Sequence, residues 1–335
     1  ESLKKFVNHA HKLGLRVVLY RSAMENVASP SMAYFGDHWL TYPVAGFSKY
    51  SGIARDAAST AVVRCPEGPE YIDWYVGSCR ELVRKYGIDG FYYDFGVSPC
   101  VNPLHGCGYE PEDNKYAYSR KRGEETATIG VDIMSDDCKY NNRRPTWPVL
   151  KHRELWRRMY NMIKEEKGDR GIISAHVSKP GNATYTTFVD SVLHSEHAAC
   201  YLPDGKLPSL EQYRLFFSRA YTGLPGEVIA LKKHKDTEAL MSISMLHGEW
   251  SRPGTFGLSA RFKDVDNRHT VDAWNALGKF GVDNAEWRPY WGKQPDASVS
   301  PAGKAYISYW KKPEGVLMVV SNPCGSAQTV RVSLT

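Results

Sequence analysis

Residues 85–96, Lys85-Tyr-Gly-Ile-Asp-Gly-Phe-Tyr-Tyr-Asp-Phe-Gly96, hold a helix end, a short strand and an acid in succession. Gly87 suits a helix C′ position, where positive φ is cheap. Phe91 to Phe95 is aromatic and short enough for an interior strand. Asp94 falls where that strand should give way to a loop. In a parallel barrel the C-terminal ends of the strands carry the chemistry. Asp94 is therefore the leading candidate for a functional side chain, and alternation puts Tyr92 on its face of the strand. The plain structural alternative is an acid that caps a turn.

Outward from this stretch the chain alternates strand and helix. Upstream, a helix through Leu13 leads into the strand Arg16–Tyr20, and the spacing predicts a second helix over Pro66–Tyr86. Between them, residues 21–64 read as a long irregular flap, ordered by Tyr34, Phe35, Trp39, Tyr42, Phe47 and Tyr50. Downstream come a polar insertion over 97–147, a helix over Pro148–Glu166 and a strand at Ile172–His176. Ser191–Glu196 and Gly226–Leu231 read as further strands, and Leu210–Tyr221 and Val271–Phe280 as helices. Leu240–His247 fits helix or strand. The alternation predicts a parallel sheet covered by helices. No Gly-rich phosphate fingerprint follows any strand, which argues against a doubly wound nucleotide fold.

The expected architecture is a (β/α)8 TIM-type barrel over residues 1–285, with its early strands upstream of residue 1. From Trp287 the pattern changes to short alternating runs at 305–311, 316–321 and 329–334. Residues 286–335 therefore read as part of an antiparallel β domain. The chain opens inside an amphipathic helix and closes in a strand, so both ends read as boundaries within a longer protein.

Composition narrows the class. The 335 residues are 42% hydrophobic and 24% charged, with a net charge of +6. No basic run is interleaved with aromatics, which argues against nucleic acid as a partner. No apolar run reaches the roughly 18 residues of a membrane span. Seven cysteines include no CxxC spacing. Cys100 and Cys107 bracket a Pro/Gly-rich loop and read either as free thiols or as a local disulfide.

Several stretches resemble the retaining α-galactosidase-like enzymes of glycoside hydrolase family 36 and its clan. Pro66-Glu-Gly-Pro-Glu-Tyr71, Arg84-Lys-Tyr-Gly-Ile-Asp89 and Gly90-Phe-Tyr-Tyr-Asp94 are similar to the segment leading into that family's nucleophilic Asp. Gly14-Leu-Arg-Val-Val-Leu-Tyr20 looks like its third strand, and Gly36-Asp-His-Trp39 is similar to its H-P-x-W. Val192-Leu-His-Ser-Glu196 sits where the family's sixth strand ends in W-x-S-D, which carries the acid/base. Three departures stand out. Glu196 replaces an Asp, the fifth strand ends in Ser174-Ala-His176 without the family's Cys and Gly-rich run, and Tyr92 replaces a frequent Lys.

The resemblance implies hydrolysis of an α-linked glycoside by two carboxyls, with Asp94 as nucleophile and Glu196 as acid/base. Substrate contacts are expected from Arg21, Trp39, Tyr92, His176, His194 and Trp250. This reading requires no metal or organic cofactor. Its partner is a carbohydrate, and a secreted or periplasmic location is favoured over a cytoplasmic one. Two rival readings fit the same residues. His176, His194, His197, Glu196 and Asp94 together suggest a metal-dependent barrel hydrolase. The departures from the family motifs also allow a carbohydrate-binding barrel without catalysis.

Overall fold

The structure is a computed structural model, and it describes residues 1–22, 24–26, 29–41, 61–94, 100, 102–108, 146–176, 186–194, 208–219, 223–229, 237–252, 268–323 and 326–334. The chain packs into two compact units. Residues 1–175 with 187–189 form the first, and residues 176–186 with 190–335 the second.

In the first unit, helix α1 (Ser2–Lys12) precedes strand β1 (Val18–Ser22). Strand β2 (Met24–Asn26), helix α2 (Pro30–Trp39) and strand β3 (Ala61–Val63) follow, with β2 and β3 antiparallel. The segment expected to be an irregular flap thus contains regular structure at both ends. Proline at the N-terminus of α2, where its missing N–H costs nothing, starts that helix. Residues 42–60 lie outside the described set.

Helix α3 (Tyr71–Tyr86) then runs into strand β4 (Gly90–Asp94). It starts later than the predicted Pro66, because 66–70 form turns. It ends on Gly87 in the left-handed region (φ +79°), as the sequence predicts. Helix α4 (Val149–Lys167) leads to strand β5 (Ile172–His176). Strands β1, β4 and β5 pair in parallel, through Val18↔Gly90 to Ser22↔Asp94 and Gly90↔Ile172 to Tyr93↔Ala175. Gly90 is required by this pairing. A Cβ there would lie 1.8 Å from the Ile172 carbonyl oxygen.

The helix-facing side of this sheet is the core of the first unit. Val7, Val76, Val83, Ile88, Phe91, Leu155, Met159, Met162, Ile163 and Ile173 are all buried. Burying each such side chain contributes roughly 1.5–3 kcal/mol before entropy is subtracted. Exposed ion pairs join α3 and α4, among them Arg80–Glu165 at 2.7 Å and Arg84–Glu166 at 2.7 Å. Pairs of this kind add little.

The second unit carries strand β6 (Ser191–His194), helix α5 (Leu210–Phe216), strand β7 (Gly226–Ile229), helix α6 (Thr237–Leu246), strand β8 (Trp250–Arg252) and helix α7 (Arg268–Phe280). Strands β6, β7 and β8 are also parallel neighbours. Tyr213, Phe217, Val228 and Ile243 form their buried cluster. The chain continues through β9 (Glu286–Arg288), β10 (Ala297–Ser300), β11 (Tyr306–Lys312), β12 (Gly315–Ser321) and β13 (Arg331–Leu334), paired antiparallel as β12–β11–β9 and β10–β13. Ser308 Oγ donates to the Leu246 carbonyl at 2.6 Å, and the Ser242 and Ser321 hydroxyls are 2.7 Å apart. These bonds fasten the antiparallel strands to α6.

Candidate active site

Asp94 is the last residue of β4 and is half-buried. Its Oδ2 accepts a 2.8 Å hydrogen bond from the Tyr20 hydroxyl on β1. The Tyr20 and Tyr92 rings lie 5.7 Å apart at 48°. Tyr20, Tyr92 and Asp94 therefore share one face of the sheet, at the C-terminal ends of the strands. Period-two alternation sends the intervening residues to the other face. Tyr93 is buried against Trp156 at 4.5 Å and Tyr75 at 6.0 Å, both on helices.

The same alternation decides Arg21. It lies between Tyr20 and Ser22 on β1, and its guanidinium points to α3. Nη2 is 3.3 Å from Ser78 Oγ, and the charge sits 5.1 Å from the Tyr75 ring centroid. Arg21, expected as a substrate contact, is thus on the helix-facing side of the strand that presents Tyr20 beside Asp94.

Trp39 also lies away from the expected position. It is only 1% exposed, and its indole N–H donates to the Pro69 carbonyl at 2.8 Å. Phe35 stacks on it at 4.7 Å and Trp74 packs at 5.1 Å. The fully buried Arg64 places its guanidinium 4.6 Å from the Trp74 ring and 4.9 Å from the Tyr71 ring. Trp39 belongs to a buried cation–aromatic cluster. This is the packing of a core residue, with no ring face presented to solvent for a sugar.

His176 closes β5 and is half-buried. His194 closes β6, but its side chain lies outside the described set, as do Glu196 and His197 entirely. Trp250 opens β8 and meets Trp274 of α7 at 6.2 Å. From the sequence alone, Leu240–His247 fits helix or strand, with Glu249 and Trp250 after it. The structure makes 237–246 a helix, so both stand at the N-terminal end of β8 instead.

Sequence reasoning missed Tyr20, whose hydroxyl reaches Asp94 only because β1 and β4 pair in this register. It also missed Asp89, at the opposite end of β4. Asp89 Oδ2 accepts from the Val17 N–H at 2.8 Å and lies 2.7 Å from His11 Nε2. Its backbone N–H donates to Val17 O, and its carbonyl accepts from the Ile172 N–H. Burial acts to raise its pKa, but the Val17 N–H and His11 outweigh it and hold the carboxyl below its ordinary value. Asp89 is the pin that joins β1, β4 and β5 at their N-terminal ends.

The fold is similar to that of bacterial α-amylases. A noncanonic maltogenic α-amylase from Thermotoga neapolitana superposes with a TM-score of 0.54 at 14% identity, covering 96% of this chain and 68% of that one. An Anoxybacillus α-amylase gives 0.50 at 10% identity, over 96% and 68%. A family 36 α-galactosidase from Geobacillus stearothermophilus gives 0.43 at 10% identity, over 92% and 38%. The fold is thus one found among barrel glycoside hydrolases. No protein-family model matches the chain. No curated protein matches it at significant similarity.

Proposed function

We propose that the protein hydrolyses an α-linked glycoside with retention of configuration. Asp94 is the nucleophile in this reading and Glu196 the acid/base. The observation that carries it is the Asp94 carboxylate at a strand's C-terminal end, held by Tyr20 on a face shared with Tyr92. The motif resemblance around Pro66–Asp94 and the amylase-like fold support it, and the parallel strands are read as part of a (β/α)8 barrel.

The chemistry follows the two-carboxylate route. An Asp94 carboxylate oxygen attacks the anomeric carbon while Glu196 protonates the departing glycosidic oxygen. This forms a covalent glycosyl ester on Asp94 and releases the leaving alcohol. Glu196, now ionised, takes a proton from water. That water attacks the anomeric carbon, frees Asp94 and completes the second inversion. Tyr20 orients the attacking carboxylate, and the Tyr20 and Tyr92 rings offer apolar surface to a sugar face.

The test is hydrolysis of 4-nitrophenyl α-galactoside and α-glucoside by the wild type and Asp94→Asn, with folding checked by circular dichroism. Activity should fall by roughly a thousandfold or more in the variant. Azide should restore turnover to Asp94→Gly and yield the β-glycosyl azide. A fully active Asp94→Asn removes Asp94 as nucleophile. Proton NMR of the first-formed product distinguishes retention from inversion.

A further inference from the structure

Three thiols and an imidazole, drawn from two separate stretches of chain, meet inside the first unit. Cys65 lies just after β3, and Cys100, His105 and Cys107 lie in the segment that follows β4. One ligand atom from each lies within 4.8 Å of all the others. The three cysteines are buried together.

Adjacent buried sulfurs have two ordinary explanations, a disulfide and simple packing. A disulfide requires about 2.05 Å between sulfurs. Cys65 Sγ and Cys107 Sγ are 3.7 Å apart. That spacing matches the edge of a tetrahedron whose centre is about 2.3 Å from each sulfur, for which geometry gives about 3.8 Å.

His105 separates a metal site from simple packing. Its Nε2 is 3.3 Å from the Leu40 carbonyl oxygen. Its Nδ1 is buried, with no hydrogen-bond partner among the described residues. A proton on Nε2, donated to that carbonyl, leaves the Nδ1 lone pair available to a ligand. Histidines that bind metals are oriented in this way by a backbone carbonyl on the far nitrogen. In a packing cluster, an imidazole nitrogen so placed would only be an unmet desolvation cost.

The surrounding backbone holds the four side chains in place. The Asn102 N–H donates to Cys100 Sγ at 3.4 Å, and the Cys107 N–H donates to Asn102 O at 3.0 Å. The buried Asn102 amide donates to Leu40 O at 2.9 Å and accepts from the Leu104 N–H at 3.0 Å. Gly106, at φ +76°, reverses the chain between His105 and Cys107. Cys100 exchanges both backbone hydrogen bonds with Thr146 at 2.9 Å.

We propose that Cys65, Cys100, His105 and Cys107 form a structural zinc site. Three soft thiolates and one imidazole, all within 4.8 Å of one another, suit a tetrahedral Zn2+. Binding forms three Zn–S bonds and one Zn–N bond, and the three thiol protons leave to solvent. Four protein ligands close the coordination sphere, so the ion holds chain segments together and leaves no open position for substrate. It ties the end of β3 to the segment after Asp94 and, through Cys100–Thr146, to the residues that enter α4. This assignment is independent of the glycosidase reading.

The experiment is metal analysis of the reduced wild-type protein, followed by Co2+ substitution. About one equivalent of zinc is expected. The Co2+ protein should show thiolate-to-cobalt charge transfer in the near ultraviolet and the intense visible bands of tetrahedral cobalt. Both should be lost in Cys65→Ser/Cys107→Ser. Should that variant not fold, alkylation mapping of the wild type decides the assignment. Zinc should protect Cys65, Cys100 and Cys107 from a maleimide, and its removal should expose them. Any one of four results overturns the proposal: absence of metal and of a cobalt spectrum, an unchanged spectrum in the double variant, equal labelling of these thiols with and without zinc, or a disulfide among them in the isolated protein.

Discussion

The Tyr20 hydroxyl donates a 2.8 Å hydrogen bond to Asp94 Oδ2, from one parallel strand to the next. In register, Tyr20 pairs with Tyr92, so the bond crosses diagonally to the end of β4. A hydrogen bond to an ionised carboxylate contributes about 1.5–3 kcal/mol. Removing it should leave the Asp94 carboxylate less firmly oriented. Tyr20→Phe is therefore expected to lower kcat by roughly 10- to 100-fold. Stability should change little, because Tyr20 is 56% exposed. Steady-state kinetics on an aryl α-glycoside checks this, and an unchanged kcat would mean that Tyr20 does not orient the nucleophile.

Asp89 should separate stability from chemistry. Asp89→Ala leaves the buried Val17 N–H without its side-chain acceptor and removes the His11 contact. A loss of about 2–4 kcal/mol in unfolding free energy is expected. Urea denaturation measures it. Activity per folded molecule should remain near wild type, since Asp89 stands at the opposite end of β4 from Asp94.

His152 should make the protein sensitive to acid. It is buried on α4, neither ring nitrogen has a hydrogen-bond partner among the described residues, and burial pushes its pKa down to about 3. The folded state therefore keeps this imidazole neutral, while the unfolded chain protonates it near pH 6.5. Its contribution is complete above pH 6.5 and declines as pH falls toward 3, by up to about 1.4 kcal/mol per pH unit. His152→Leu should flatten that slope in denaturation curves taken between pH 7 and 4. A slope equal to wild type would assign the acid sensitivity elsewhere.

Glu249 should act in the opposite direction. Burial pushes its carboxyl up to about 8, against the opposing hydrogen bond from the Arg219 N–H. The folded state then holds a proton that the unfolded chain releases near pH 4.3. Stability from this group is complete below pH 4.3 and is lost as pH rises toward 8. Glu249→Gln should match the wild type near pH 4 and exceed it at pH 8. Thermal unfolding at both pH values checks the crossover, and equal stability at pH 8 would contradict the buried, protonated carboxyl.

Local signals were legible wherever a residue's role depends on its near neighbours in sequence. Gly87 could be read as a helix stop, because only a residue tolerant of positive φ ends a helix in that way. β4 could be read because its aromatic run is short and ends in an acid, and alternation alone paired Tyr92 with Asp94. The helix over 30–39 was not legible, since its Gly, Pro and aromatic content resembles that of a loop. Trp39 was also misjudged. An indole suits a sugar platform or a core equally well, and only the approach of Arg64 and Tyr71 shows that it is buried.

The sequence by itself determined the strand–helix alternation, the antiparallel run after Trp287 and the position of Asp94 at a strand end. These depend on hydrophobic period and on the conformational limits of Gly and Pro, which operate over a few residues. The tertiary structure alone decided which side chains meet. Tyr20 and Asp94 are distant in sequence and touch through strand register, as do Val17 and Asp89. Cys65 reaches Cys107 because the end of β3 packs beside the segment after β4. Gly90 reads as an ordinary strand residue until Ile172 is placed against it. Contacts between remote residues depend on how strands pair and helices pack, and no local pattern encodes that. Asp94, which the sequence marked by position, acquired its hydroxyl partner only in the folded sheet.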